Sequence, residues 1–326
     1  MATEKNAKSA KEDTKVIPMV DTGIRLRDVF SSNNNKPFLA VTPGGNWGDY
    51  LIYWGAEALA RDCGVAWKTI RYEDFDPSSV AKGEVVYLHG SGGFNSWCSG
   101  RAAKALLQAL RSSADTIIQG PATYDNANNY TSSFLATLSG LVAGKQVVLF
   151  AREGPSLKLL SDNAPSEVIV GSDDDTAFHV RRRDFIQRAG VRERQYDLCC
   201  VREDKEAAAN TDPRCGGIRL DPASFGRSFD HWLRLHAGAK TIRTDRTHSA
   251  IAGAILGVPT TLFGGAYHKN RSVWERSLRA RGVEWGEAED WVRQDAPSMF
   301  QYLRRRAARS ASVQKLKFRY FGVPTS

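Results

Sequence analysis

Short apolar, β-rich runs alternate along the chain with segments whose apolar residues return every three to four positions. Two alternating periods of this kind are the pattern of parallel strands covered by helices. Pro37 to Thr42 (PFLAVT) reads as a strand, the loop PGGNWGD follows, and Tyr50 to Arg61 is an amphipathic helix. Val65 to Tyr72 is the next strand. Val85 to His89 leads into the glycine-rich turn GSGGFN and a helix from Gly100 to Arg111, and strands at Thr116 to Gln119 and Gln146 to Ala151 complete a first α/β unit. The second half repeats the alternation, with strands at Glu167 to Gly171, Asp197 to Val201, Thr241 to Arg243 and Thr260 to Phe263 and helices at Ser228 to His236 and Arg246 to Leu256. The expected fold class is α/β, with two doubly wound, Rossmann-like domains whose carboxyl-end loops share a cleft. The predicted division is an N-terminal extension at 1–35, partly disordered, α/β domains at 36–165 and 166–290, and a helical tail at 291–326. Pro165 and the acidic run Asp173 to Asp175 interrupt the pattern near the central boundary.

Composition narrows the class. A chain of 326 residues, 42% apolar and 25% charged, is ordinary for a globular protein and speaks against long disorder, collagen or coiled coil. No apolar run approaches the ~20 residues that span a bilayer. The N-terminus mixes Lys with Glu and Asp and lacks an apolar h-region, so a cytoplasmic location is expected. The five cysteines form no C-x-x-C pair and read as reduced, mostly buried thiols. A net charge of +9 invites an anionic partner. Seven basic and no acidic residues lie between Phe300 and Ser326, leaving a balance of +2 elsewhere, so the excess belongs to the tail. That stripe suits an anionic membrane surface or a phosphate-bearing acceptor better than nucleic acid, although a solvated helix face is the commoner explanation.

Candidate chemistry collects in loops. Gly44, Gly45 and Gly48 follow a strand and open a helix, so backbone amides near Asn46 and Asp49 can receive an anion or a sugar; the plainer reading is a tight turn. Neither G-x-G-x-x-G nor a P-loop motif occurs, which speaks against dinucleotide chemistry and P-loop hydrolysis. In Thr244-Asp245-Arg246-Thr247-His248-Ser249, Asp245 is placed to cap a helix and Arg246 and His248 to lie in its first turn, an anion site with proton transfer available. The alternative is a capped helix with an exposed Arg and His. Arg152 and Arg202 each stand one step beyond an apolar strand, as Arg246 stands near one, and three such arginines converge if the strands are parallel and share a sheet edge or face each other across a cleft. Asp173-Asp174-Asp175 contains a D-x-D, but a solvated acidic loop is the commoner case, and His231 and His236 are wrongly spaced for one helical face; no metal is expected.

In order along the chain, Gly45-Asn46-Trp47-Gly48-Asp49, the turn Gly90 to Gly93, Arg152-x-x-x-Ser156, Asp175-Thr176-Ala177-Phe178, Thr244-Asp245-Arg246-Thr247-His248, Leu256-Gly257-Val258-Pro259 and Tyr267-His268-Lys269 resemble the polysaccharide pyruvyl transferase family. Glu153, Thr176 and Thr247 depart from the residues commoner at those places. The resemblance implies a GT-B-like arrangement of the two domains and transfer of pyruvate from phosphoenolpyruvate onto two sugar hydroxyls as a ketal, metal-independent and with no cofactor beyond phosphoenolpyruvate as co-substrate. It assigns His248, with Asp245, to catalysis. Arg152, Ser156, Arg202, Arg246 and Lys269 fall to the donor, and Gly45, Asn46, Asp49 and His89 to the acceptor. The first α/β domain becomes the acceptor side and the second the donor side. The implied acceptor is a glycan sugar, lipid-linked or phosphate-bearing, with peripheral membrane contact through the tail. A GT-B-type glycosyltransferase using a nucleotide sugar is the alternative, and a basic nucleic-acid or membrane-surface binder the weakest reading.

Overall fold

A computed structural model describes residues 22–191, 193–204, 206–207, 211–213, 217–287 and 291–293. Six parallel strands form the first sheet: β1 (Pro37–Thr42), β2 (Ala66–Arg71), β3 (Val85–Leu88), β4 (Thr116–Ala122), β5 (Gln146–Ala151) and β6 (Val168–Ser172), in the order β2-β1-β3-β4-β5-β6. The next strands are β7 (Tyr196–Cys200), β8 (Thr211–Pro213), β9 (Ile218–Leu220), β10 (Ala239–Thr244), β11 (Thr260–Phe263), β12 (Glu284–Gly286) and β13 (Trp291–Arg293). Five of them make a second parallel sheet, β12-β11-β10-β7-β9, while β8 and β13 pair antiparallel apart from it. The helices are α1 (Leu26–Ser32), α2 (Trp47–Asp62), α3 (Arg101–Arg111), α4 (Tyr130–Ala136), α5 (Gly154–Asn163), α6 (Arg182–Ala189), α7 (Pro222–Phe225), α8 (Phe229–Ala237), α9 (Thr247–Leu256) and α10 (Lys269–Val273).

The protein is thus α/β with two Rossmann-like parallel sheets, and the two share one topology. In each, the second strand lies on one side of the first and the third on the other. The strand order therefore reverses between β1 and β3 and again between β7 and β10. Loops leaving the carboxyl ends of strands at such a reversal diverge and open a crevice. The central strands are apolar because both faces are covered: β3 is buried throughout. One face of the first sheet packs on α3 and α5 and the other on α1 and α2, while a separate apolar core fills the second domain.

Helix α2 joins the two units. Its Leu51 belongs to the second core, whereas Ala56, Leu59 and Ala60 pack in the first. Gly55 permits this, since a Cβ there would collide with the Thr176 backbone carbonyl, and the Thr176 hydroxyl donates to the Ile52 carbonyl at 2.9 Å.

Four expectations change. The strand near residues 167–171 is not the first of the second unit but the edge strand of the first sheet, paired in register with β5; its hydrophobicity could not reveal which sheet it would join. Part of the anticipated N-terminal extension is the helix α1, which buries Leu26 and Phe30 fully. Of the helical tail, Trp291–Arg293 is a strand, and residues 294–326, with their basic stripe, lie outside the described residues. Among the described residues no helix is long and apolar enough to cross a membrane. Cys63, Cys98 and Cys200 are free thiols, but Cys199 is disulfide-bonded, against the expectation of reduced cysteines throughout.

Candidate active site

The two reversals face each other across one cleft of about 260 Å³, lined from the first unit by the β1–α2 loop, the turn after β3 and Arg152, and from the second by Arg202, Arg246, His248 and Lys269. The three arginines anticipated from their places after strands therefore do meet. Arg152 is buried; its Nε donates to Thr123 at 2.8 Å and one terminal nitrogen pairs with Asp175 at 2.6 Å. Arg202 holds Asp204 at 2.8 Å and Glu206 at 3.0 Å, and Arg246 holds Asp204 at 3.0 Å and Asp221 at 2.5 Å. Lys269 is paired with Glu206. Burial lowers the Lys269 ammonium to about 8, with Glu206 opposing and Arg202 and Arg152 adding to the shift. Burial would raise Glu206, yet Lys269 and Arg202 together hold it below its ordinary value.

Gly92, in the turn after β3, has a specific purpose. A Cβ placed there would stand 3.5 Å from Lys269 Nζ, 3.5 Å from Tyr267 Oη and 3.6 Å from Arg152 Nη2. Three donors thus converge on a space that a methyl group would fill. Tyr267 Oη is buried without a hydrogen-bond partner among the described residues, which is costly unless a ligand supplies an acceptor.

His248 lies in the first turn of α9 and crosses to the first unit. Its Nε2 is 3.6 Å from Asp175 and its Nδ1 is 4.0 Å from Asp49, so a carboxylate faces each ring nitrogen. Gly48 allows the approach, because a Cβ there would come within 2.8 Å of His248 Cβ. Burial would raise Asp175, but the approach of His248 and the Arg152 charge hold it well below the usual carboxylate range. Asn46 caps α2 by accepting from the Gly48 amide at 2.9 Å, and Asp49 accepts from the Asn46 amide at 2.8 Å, a reciprocal capping box. Gly45, Asn46 and Asp49 all line the cleft.

Several anticipated roles move. Asp245 does not cap α9, whose N-cap is Arg246 with no side-chain cap; Thr244 Oγ1 accepts from the Arg246 amide at 2.9 Å instead. Nor does Asp245 orient His248. It accepts from the Arg202 amide at 2.8 Å and so ties the ends of β7 and β10 together; burial raises its carboxyl to about 6 despite that bond. Ser156 is fully buried beneath the cleft, its hydroxyl shared between Glu153 and the Tyr124 amide. His89 points away into an aromatic cage of Tyr53, Trp67 and Tyr87, where burial drives it down to about 3. A histidine at the end of a strand can face either side of the sheet, and the alternation places this one in the core.

The acidic run is not a solvated loop. Asp173 accepts from the Leu26 amide at 2.8 Å, Asp174 pairs with Arg276 and Arg281, and Asp175 is the buried partner of Arg152. No group of three or more His, Cys, Asp or Glu suited to a metal occurs among the described residues. Tyr267 and Asp175 stood in the quoted motifs without a role in the site, and the carboxylates Asp204, Glu206 and Asp221 were missed in the sequence. Asp175, Asp204 and Glu206 follow the ends of β6 and β7, the same place that marked the arginines, but runs such as Arg202-Glu203-Asp204 read as surface charge.

Fold and cleft together define a protein with two facing Rossmann-like sheets and a cation-rich crevice between them. No protein-family model matches the sequence, and no curated protein matches it significantly. Among solved structures, the chain is similar to a functionally uncharacterised protein of Klebsiella pneumoniae subsp. pneumoniae, at 19% identity and a TM-score of 0.59 over 83% of this chain and 100% of that one. This likeness shows a shared fold. The wall teichoic acid polymerase TagF aligns at 10% identity with a TM-score of 0.33, over 91% of this chain and 86% of that one.

Proposed function

We propose that this protein is a pyruvyl transferase that moves pyruvate from phosphoenolpyruvate onto two hydroxyls of a sugar, with its two domains in a GT-B-like arrangement. The observation that carries the reading is the convergence of Arg152, Tyr267 and Lys269 on the space above Gly92, beside Arg202, Arg246 and a histidine held between two carboxylates. Phosphoenolpyruvate bears a phosphate and a carboxylate on one small frame and needs several fixed cations next to one proton donor. The ordered motifs from Gly45 to Lys269 point the same way.

In this reading the donor anions take over the cations now held by Asp204 and Glu206. His248, as imidazolium, gives its proton to the methylene carbon of the enol, making it a methyl group and leaving an oxocarbenium centre at the adjacent carbon. One sugar hydroxyl adds to that centre and returns its proton to His248. The C–O bond to phosphate then breaks, the second hydroxyl closes the ketal, and its proton leaves with phosphate. Gly45, Asn46 and Asp49 present the acceptor from the first-domain side.

The test is release of phosphate and gain of a pyruvyl mass on a glycan incubated with phosphoenolpyruvate and the protein. His248→Asn is expected to lower kcat ~10²–10⁴-fold with folding intact, the usual contribution of a positioned acid–base group. Thermal stabilisation by UDP- or GDP-sugars and none by phosphoenolpyruvate would instead assign the cleft to glycosyl transfer.

A further inference from the structure

Two further grooves adjoin the cleft, and they are continuous with it. The first, of about 580 Å³, shares Gly44, Gly45 and Arg101 with the cleft and has a wall of Tyr50, Tyr53, Trp54 and Phe229. The second, of about 590 Å³, shares Trp54 and Arg188 with the first and ends on Arg61, Arg181 and Arg183. One helix lies under the whole path. Tyr50, Trp54, Ala58 and Arg61 follow each other at the three-to-four-residue spacing of one face of α2, and Tyr50 to Arg61 spans about 16 Å.

The chemistry changes along this path. Near the cleft it is aromatic: Tyr50 is 42% exposed, an unusual degree for so large a ring, and stands 5.6 Å from Tyr53 and 5.9 Å from Phe229. Arg188 lies over the Trp54 and Phe229 rings at 5.1 and 4.8 Å, so the open ring is that of Tyr50, whose apolar face and polar edge suit a pyranose, apolar on its faces and hydroxylated at its rim. Glu57 and Glu73 in the same groove can accept from hydroxyls. At the far end, Arg181 pairs with Asp62 at 3.0 Å, Arg183 with Asp184 at 3.2 Å and Arg188 with Asp230 at 2.7 Å, all at the surface where an anion can exchange for the acid, and Arg61 adds a fourth guanidinium; the one positive charge in excess favours phosphate esters over a neutral chain.

The geometry points to an extended acceptor track: a glycan whose reacting sugar enters the cleft past Gly44 and Gly45, whose next units lie on the aromatic wall of α2, and whose phosphate ester rests on the arginine end. This rests on the pyruvyl-transfer reading for the cleft but not for the track itself, which is a binding site in its own right.

Binding and turnover are therefore measured separately. An array of pyranose mono- to tetrasaccharides, each as the free glycan, the 1-phosphate and a long-chain alkyl diphosphate, is probed with the wild type, Tyr50→Ala and the double variant Arg61→Ala/Arg183→Ala. The wild type should retain tri- and tetrasaccharides over monosaccharides, and phosphate-bearing forms over free ones. Tyr50→Ala should weaken retention of the longer chains about tenfold, the loss of roughly one ring contact. The double variant should erase the preference for phosphate. Equal retention of the 1-phosphate and the alkyl diphosphate assigns the arginine end to the phosphate itself; stronger retention of the alkyl form assigns it to a lipid-carried glycan. Retention unchanged by either variant, or no retention of any glycan by the wild type, overturns the track. Retention with no phosphate released from phosphoenolpyruvate leaves the track standing and overturns the pyruvyl-transfer reading.

Discussion

The two halves of the cleft hold their cations in opposite ways. From the first sheet comes Arg152, which is fully enclosed with an equally enclosed acid, Asp175, and braced by Thr123. From the second come Arg202 and Arg246, which share Asp204, an acid on the loop after β7 whose side chain is 45% exposed. Arg152 is consequently part of the architecture, with one terminal nitrogen turned to the space above Gly92. Arg202 and Arg246 share a carboxylate that a ligand anion can replace, although Arg246 also keeps a buried partner, Asp221, at 2.5 Å. A buried pair is worth keeping intact mainly because breaking it strands a charge, whereas an exposed acid contributes little and can be exchanged. The difference teaches that a site for a multiply charged ligand can be prebuilt on one side and exchangeable on the other.

The sharpest way to break the comparison is Arg152→Ala. It leaves Asp175 buried beside His248 without its guanidinium, and urea unfolding should show a loss of ~3–5 kcal/mol; a loss below about 1 kcal/mol would make the two sides equivalent. Asp245 comes next. Its folded carboxyl titrates at about 6, above the ~3.9 of an unfolded chain, so the stability it contributes is complete below about pH 4 and is lost as pH rises through about 6. Unfolding of the wild type and Asp245→Asn at several pH values should show the wild type losing ground to the variant by at most ~3 kcal/mol between pH 4 and 7. Gly92→Ala is expected to weaken phosphoenolpyruvate binding by about tenfold or more, read by titration calorimetry, with little change in melting temperature, because its methyl would meet the three donors at ordinary contact distances. The smallest effect belongs to Asp204→Asn: stability within about 1 kcal/mol of wild type, and phosphoenolpyruvate bound more tightly because a competing carboxylate is gone.

Much of the frame was legible in the chain. The strands at Pro37–Thr42, Gln146–Ala151 and Thr260–Phe263 lie where their apolar runs put them. Arginines just after apolar strands pointed to a shared cleft on the condition that the strands be parallel and face each other across it; parallel strands bring the carboxyl ends of one sheet to one side, and the facing of the two sheets is a tertiary outcome. The glycines of the Gly-Asn-Trp-Gly-Asp loop likewise marked a helix start, expected at Tyr50; the helix begins at Trp47 because Asn46 and Asp49, three apart, satisfy each other locally.

What the sequence by itself determined about this protein is therefore what depends on neighbours in the chain: most element types and which residues stand at strand ends. Only the tertiary structure decided which sheet β6 joins, that His248 meets Asp49 and Asp175 rather than Asp245, and that His89 and Ser156 turn inward. Those outcomes depend on contacts between groups far apart in sequence, such as His248 and Asp49, and a local pattern carries no record of which distant side chain will arrive opposite. Gly48 and Gly92 show the reason most plainly: each is an ordinary turn residue in the sequence, and only the groups packed against it reveal that a side chain there would occupy the site.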